Sequence, residues 1–278
     1  MLLKFFSLTY LLSWILFGAA AYILRCTGSQ PSEIGPGASL IFVPGAIVPA
    51  LVAVFLTAQS EGREGIADLL RGIVKWRINA GWYLFAVGYI AAIKVAAAFL
   101  YHFATDAWPI FGGVPWYLMA VATIFSTPVQ AGEEIGWRGF ALPRLAKRFR
   151  LAWASIILGF IWAAWHLPFF FIPGSDNFGQ SFAMYLLAVT ALSVALAWLY
   201  FRTNRSLLLV MLMHAAIDNT AGIVRSPISA GGATNPFAPS SSLFAWLTVA
   251  LLWICAAWFL AQMRGRYWGI GPIRLPIF

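Results

Sequence analysis

Apolar stretches of about twenty residues recur along nearly the whole chain, and this spacing is what most narrows the folds open to it. A bilayer core of ~30 Å is crossed by about 20 helical residues at a rise of about 1.5 Å each. Eight segments qualify: 5–24, 38–58, 81–103, 115–137, 152–172, 181–202, 206–224 and 242–263. Composition agrees, since 62% of 278 residues are apolar and only 10% are charged, where a soluble domain carries roughly 25%. The sequence therefore predicts an all-α, polytopic membrane protein of about eight transmembrane helices, built as a single transmembrane domain over 1–278, with the lipid bilayer as its main partner. Fourteen Trp and nine Tyr suit a chain with many headgroup-level interfaces.

Lys and Arg are unevenly placed. Arg63, Arg71, Lys75 and Arg77 follow the second segment, and Arg144, Lys147, Arg148 and Arg150 follow the fourth. Arg202 and Arg205 follow the sixth, and Arg264, Arg266 and Arg274 form the tail, whereas the opposite loops hold only Arg25 and Arg225. By the positive-inside rule both termini face the cytoplasm, an even number of spans agrees in placing them on one side, and the plasma membrane is the expected location. The net charge of +9 is then read as basic loops facing anionic lipid, with no nucleic acid as partner. Residues 64–77 place Ile66, Leu69, Leu70, Ile73, Val74 and Trp76 largely on one side, predicting an amphipathic helix on the cytoplasmic surface. The first apolar run exceeds the roughly 7–15 residues of a signal h-region, so it is read as a membrane helix. Cys26 and Cys255 form no ligand or disulfide pattern. Gly35-Pro36-Gly37, Pro173–Asn177 and Ser226–Ser242 read as loops.

Ionisable groups cost roughly 2.5–3.5 kcal/mol each near a membrane centre, so those inside spans point to pairing or function. They collect in the fourth, fifth and seventh segments. In the fourth, Glu134 and Arg138 are four residues apart and about 40° apart around a helix, a favourable ion-pair geometry. Glu133 is turned about 100° from Glu134, so Arg138 does not readily neutralise both, and Glu133 is left as the chemically free carboxylate. Pro128 should disturb the helix one turn earlier, and Gly132-xxx-Gly136 permits close approach of a neighbour. The fifth segment holds His166 among aromatics. The seventh holds His214 and Asp218 on one face, a spacing that suits a carboxylate orienting an imidazole, while Asn219 lies off that face and suits a bond to a neighbouring helix. Two of three histidines and three of nine acids thus fall in these segments. Elsewhere, His102 is expected at an interface and Lys94 is expected to snorkel or to make a distant polar contact.

Glu133-Glu134-xxx-Arg138-Gly139, Trp162-xxx-His166 and His214-xxx-Asp218 resemble, in order, the three motifs of the CAAX-processing and bacteriocin-processing (CPBP, or Abi) family, which includes type II CAAX prenyl endopeptidases. The core motifs occupy 133–218. The resemblance implies an eight-helix intramembrane endopeptidase with a site reached from the cytoplasmic side, Glu133 as catalytic carboxylate, and His166 and His214 as catalytic histidines. Asp218 stands where family members have Asn or Asp, and Trp162 where the second motif usually has Phe.

Two chemistries use these residues. In one, Glu133 deprotonates a water that His166 positions, and His214, oriented by Asp218 with Asn219 as a further contributor, holds the oxyanion. In the other, His166, His214 and Glu133 bind Zn²⁺, which acidifies its water; the first is preferred, although family proteins carry the metalloprotease label. Glu134 and Arg138 support the site as a pair. The expected partner is a lipidated or membrane-associated peptide. A non-catalytic bacteriocin-immunity or membrane scaffold protein is the alternative, and an ion-coupled transporter a third reading that lacks the expected repeats. One difficulty stands: with the fourth segment ending near 137, Glu133, His214 and His166 spread over roughly 15 Å of depth.

Overall fold

A computed structural model describes residues 1–26, 41–173, 175, 177–220, 223–224, 235–240 and 242–264. Among these, the regular structure is entirely helical, with a lone antiparallel bridge between Phe111 and Val224. The α-helices are α1 (Leu2–Cys26), α2 (Val43–Arg71), α3 (Ala80–Thr105), α4 (Trp116–Ser126), α5 (Leu142–Trp165), α6 (Phe182–Arg202), α7 (Leu207–Asn219) and α8 (Leu243–Arg264). Between α4 and α5 runs a short α-turn, Ala131–Glu134. The all-α membrane class holds. The expected loop at Gly35-Pro36-Gly37 and most of Ser226–Ser242 lie outside the described residues.

Among the described residues, five helices are long and apolar enough to cross a membrane: α1, α2 with its extension to Val74, α3, α6 and α8. The expected count of eight is not reached by this measure. The three segments that fall short are those carrying the ionisable residues. Segment 115–137 is broken after Ser126, segment 152–172 stops being α-helical at Trp165, and α7 has 13 residues.

The path from α4 to α5 is the main departure from expectation. Pro128 lies at the start of a 3-10 turn, Thr127–Gln130, as its missing N–H and fixed φ dictate. Ala131–Glu134 follows, and then Ile135–Ala141 is π-helical, with the N–H of Leu142 donating to the carbonyl of Trp137. The wider turn meets Pro143 at the start of α5, where a proline tolerates a lost donor. The helix does not end near 137. It continues to Phe149, and the reversal comes at Arg150, whose φ of 61° and ψ of 161° break α5 into two limbs. Glu133 and His166 therefore stand almost equally far from the reversal, one on each limb, which removes the depth difficulty.

In α2, Gly62 adopts φ 66° and ψ −157°, a conformation open to glycine, and the chain changes direction there. The expected surface helix at 64–77 begins after this kink but stops earlier, passing through a 3-10 turn at Gly72–Val74. Leu69, Leu70 and Ile73 pack on the core, whereas Val74 and Trp76 are exposed.

The membrane part of α2 lies against the segment that bears the two glutamates. A Cβ on Gly132 would stand 3.0 Å from the Ala46 carbonyl, and one on Gly136 would stand 2.6–2.7 Å from Pro49. These glycines let two backbones meet. Helix α1 fixes α5 from behind: Trp14 Nε1 donates to the Trp165 carbonyl at 2.9 Å, and the Tyr10 hydroxyl donates to that of Ile161. Gly136→Ala should lower stability by about 1–3 kcal/mol, because Pro49 backbone cannot withdraw. Gly88→Ala, with open space around it, should be tolerated; thermal unfolding in detergent micelles compares the two, and equal stability would refute the contact's importance.

Candidate active site

The site forms where the α-turn Ala131–Glu134 meets α5 and α7. Glu134 and Arg138 are fully buried, and Arg138 Nη1 donates to Glu134 Oε1 at 2.7 Å. The same oxygen lies 2.8 Å from His214 Nδ1. A carboxylate only accepts, so Nδ1 carries the proton and Nε2 is the nitrogen that faces other chemistry. His214 Nε2 is 3.8 Å from Asp218 Oδ2, beyond hydrogen-bond range. The carboxylate that orients His214 is thus Glu134, in place of the expected Asp218. The i, i+4 spacing puts Asp218 on the right face, but Glu134 approaches closer from the neighbouring helix.

Glu133 is 9% exposed and is not paired with Arg138. Its Oε2 instead accepts from Trp162 Nε1 at 2.7 Å. Trp162 occupies the centre of the group. The Arg138 guanidinium carbon lies 4.1 Å from the Trp162 ring centroid, a cation–π contact. The His214 and His166 rings meet Trp162 edge-on at 5.1 and 5.8 Å between centroids. Glu133, Glu134, Arg138, His166 and His214 therefore form one cluster around an indole.

His166 caps the end of α5, where Pro168 bars the helix from continuing. Its Nδ1 is 2.9 Å from the Trp162 carbonyl. A carbonyl also only accepts, so the neutral ring is protonated at Nδ1 and keeps a lone pair at Nε2. Asp218 is held by Gln130 Nε2 at 2.8 Å, and about half of its side-chain surface (52%) is open. Asp218, beside the buried His214 and the half-buried His166, thus marks where the cluster comes nearest the surface. Asn219 turns away, donating to Ser126 Oγ at 2.9 Å and to the Ala215 carbonyl at 2.8 Å, so it ties α7 to α4.

Sequence reasoning gave Gln130 and Tyr185 no place in the site. Gln130 sits one turn before Glu133 and had a detectable signal, a polar side chain within an apolar segment. Tyr185 had none. Its ring lies 5.6 Å from that of His166, it is within electrostatic reach of Glu133 and Asp218, and its hydroxyl accepts a hydrogen bond from Asn177.

The residues as placed do not fit zinc. Zinc ligands converge to about 2 Å from one point; each histidine keeps Nε2 free, as a metal-bound imidazole would, but Glu133 is held by Trp162 and the three side chains do not gather around one point. Among the described residues, no three His, Cys, Asp or Glu side chains are grouped as a metal site.

Glu134→Ala would leave the Arg138 charge buried and unpaired. A loss of about 3–5 kcal/mol is expected, with much of it recovered in Glu134→Ala/Arg138→Met. Denaturant unfolding in micelles measures both; a double variant no more stable than the single one would show that the pair is not what holds this segment.

The comparisons with known proteins follow the motifs. Residues 113–220 match the family model described as type II CAAX prenyl endopeptidase Rce1-like. The chain is also similar to the CAAX prenyl protease 2 of Methanococcus maripaludis, at 24% identity over 237 residues, covering 77% of this chain and 81% of that protein. The resemblance to type II CAAX prenyl endopeptidases is thereby shown.

Proposed function

We propose that this integral membrane protein is an intramembrane endopeptidase that hydrolyses a peptide bond near the membrane surface, in a CAAX-type prenylated tail or another membrane-associated peptide. One observation carries the reading: Arg138 is committed to Glu134, while Glu133, free of ion pairing, is held by Trp162, whose ring also meets both histidines. A carboxylate without a cation partner retains the basicity that water activation needs. The match to the Rce1-like family and the similarity to a CAAX prenyl protease support the same class.

In this mechanism Glu133 takes a proton from a water held between it and His166 Nε2. The water oxygen attacks the scissile carbonyl, and the carbonyl π electrons move to oxygen. His214, doubly protonated between Glu134 and Asp218, donates Nδ1–H to Glu134 and Nε2–H to the oxyanion. Collapse of the tetrahedral intermediate breaks the C–N bond, and Glu133 returns the proton to the leaving nitrogen. Asp218 stands beside His214 and, anchored by Gln130, shapes this edge of the site. No step needs a metal.

Cleavage of a fluorogenic, C-terminally lipidated peptide by purified protein tests the reading. Glu133→Gln and His166→Ala should each lower kcat by about 10²–10⁴-fold, with activity unchanged by a chelator. Full activity in both variants would refute the mechanism, and loss on chelation restored by zinc would replace it with a metal-dependent one. Trp162→Phe keeps a ring but removes the N–H, so kcat should fall about tenfold or more, the value of one charge-assisted hydrogen bond, with KM little changed. An unaltered kcat would show that the indole only packs.

A further inference from the structure

Lys94 has no part in the mechanism above. It lies in the middle of α3, a helix long and apolar enough to cross a membrane, where an ammonium is costly. Its Nζ donates to the carbonyl of Thr220 at 2.5 Å. Thr220 caps α7 two residues beyond Asp218, so Lys94 stands at the end of the helix that carries His214. The carbonyl engages one of three N–H donors and does not cancel the charge. Among the described residues, Lys94 forms no ion pair with a carboxylate.

Lys94 lines a cavity of about 240 Å³ between α3 and the starts of α6 and α8, whose walls include Ser181, Tyr185, Asn235, Ser240 and Phe244. Tyr185 belongs both to this cavity and to the active site, where its ring faces His166. The two spaces are therefore neighbours across one side chain. A cavity that offers an unpaired cation, hydroxyls and an amide inside an apolar bundle is chemically suited to a small anionic group.

We propose that this cavity receives the free C-terminal carboxylate of the peptide substrate, with Lys94 as its counter-ion and Tyr185 guiding the chain from the scissile bond. This rests on the endopeptidase reading and assigns to Lys94 and this cavity the recognition of the chain end that a CAAX-type tail presents. An extended chain covers about 3.3–3.6 Å per residue, so a few residues beyond the cleaved bond reach from the histidines past Tyr185. A carboxylate drawn into an apolar bundle needs a cation, and Lys94 needs an anion, so each offsets the burial cost of the other. A chain continuing beyond that point would have to place an uncharged peptide group against the ammonium. Selection for peptides that end within a few residues of the cleaved bond follows.

The experiment compares one lipidated peptide with a free C-terminal carboxylate and the same peptide with a C-terminal amide. Binding is measured by fluorescence anisotropy on the full-length Glu133→Gln protein, so that no cleavage intervenes. The carboxylate form should bind about tenfold or more tightly, as expected for a charge-assisted contact. Adding Lys94→Gln should abolish the preference, and Lys94→Arg should keep most of it. Equal binding of both forms, or a preference that survives in Lys94→Gln, would overturn the proposal. The comparison on the Lys94 protein stands even where Lys94→Gln does not fold. Cleavage by the unsubstituted protein is scored separately: no cleavage of either form counts against the endopeptidase reading, whereas equal cleavage with equal binding counts against the subsite alone.

Discussion

A guanidinium buried without water must be neutralised where it stands, and Glu134 does this for Arg138 inside the helix bundle. The consequences spread from that oxygen. Because Glu134 Oε1 also lies 2.8 Å from His214 Nδ1, the ion pair fixes the register between the glutamate-bearing segment and α7. Arg138 in turn lies over Trp162, whose N–H reaches Glu133. Two adjacent carboxylates so acquire separate duties. One is consumed by structure, and the other is held by a single directional hydrogen bond and left without a cation.

Much of this was legible in the sequence. The Glu134–Arg138 spacing, the close approach at Gly132 and Gly136, the break at Pro128 and the diversion of Asn219 to a neighbouring helix follow from helix periodicity and the chemistry of single residues. So does the all-α membrane class. What was hidden depends on where side chains arrive after the helices pack. The bond from Trp162 to Glu133 cannot be read from a motif in which an aromatic position suggests only packing. Nor can the choice of Glu134 over Asp218 as the partner of His214, since the nearer carboxylate comes from another helix.

The helix that bears the glutamates was misjudged for a different reason. Arg144, Lys147 and Arg148 read as a basic loop, yet lysine and arginine are good helix formers, and charge alone does not end a helix. The chain turns only at Arg150. The same bias made the fourth, fifth and seventh segments look like ordinary spans. Hydropathy measures the company a helix keeps with lipid, whereas the fifth segment packs chiefly on α6 and the seventh on α3 and α4. Helix α1, with its bonds to Ile161 and Trp165, shows how a long lipid-facing helix holds a short functional one in place.

The π-helical turn at Ile135–Ala141 makes the glutamate pair unusually sensitive to chain length. An i→i+5 turn accommodates one residue more than the α-helix would. Deleting a residue there would let the backbone settle into α register and swing Glu133 and Glu134 by about 100° relative to everything downstream. Helical content seen by circular dichroism would hardly change. The contacts of Glu134 with His214 and of Glu133 with Trp162 would nonetheless be lost together, so the segment acts as a phase setting, in which a frame of one residue separates an assembled site from a dismantled one.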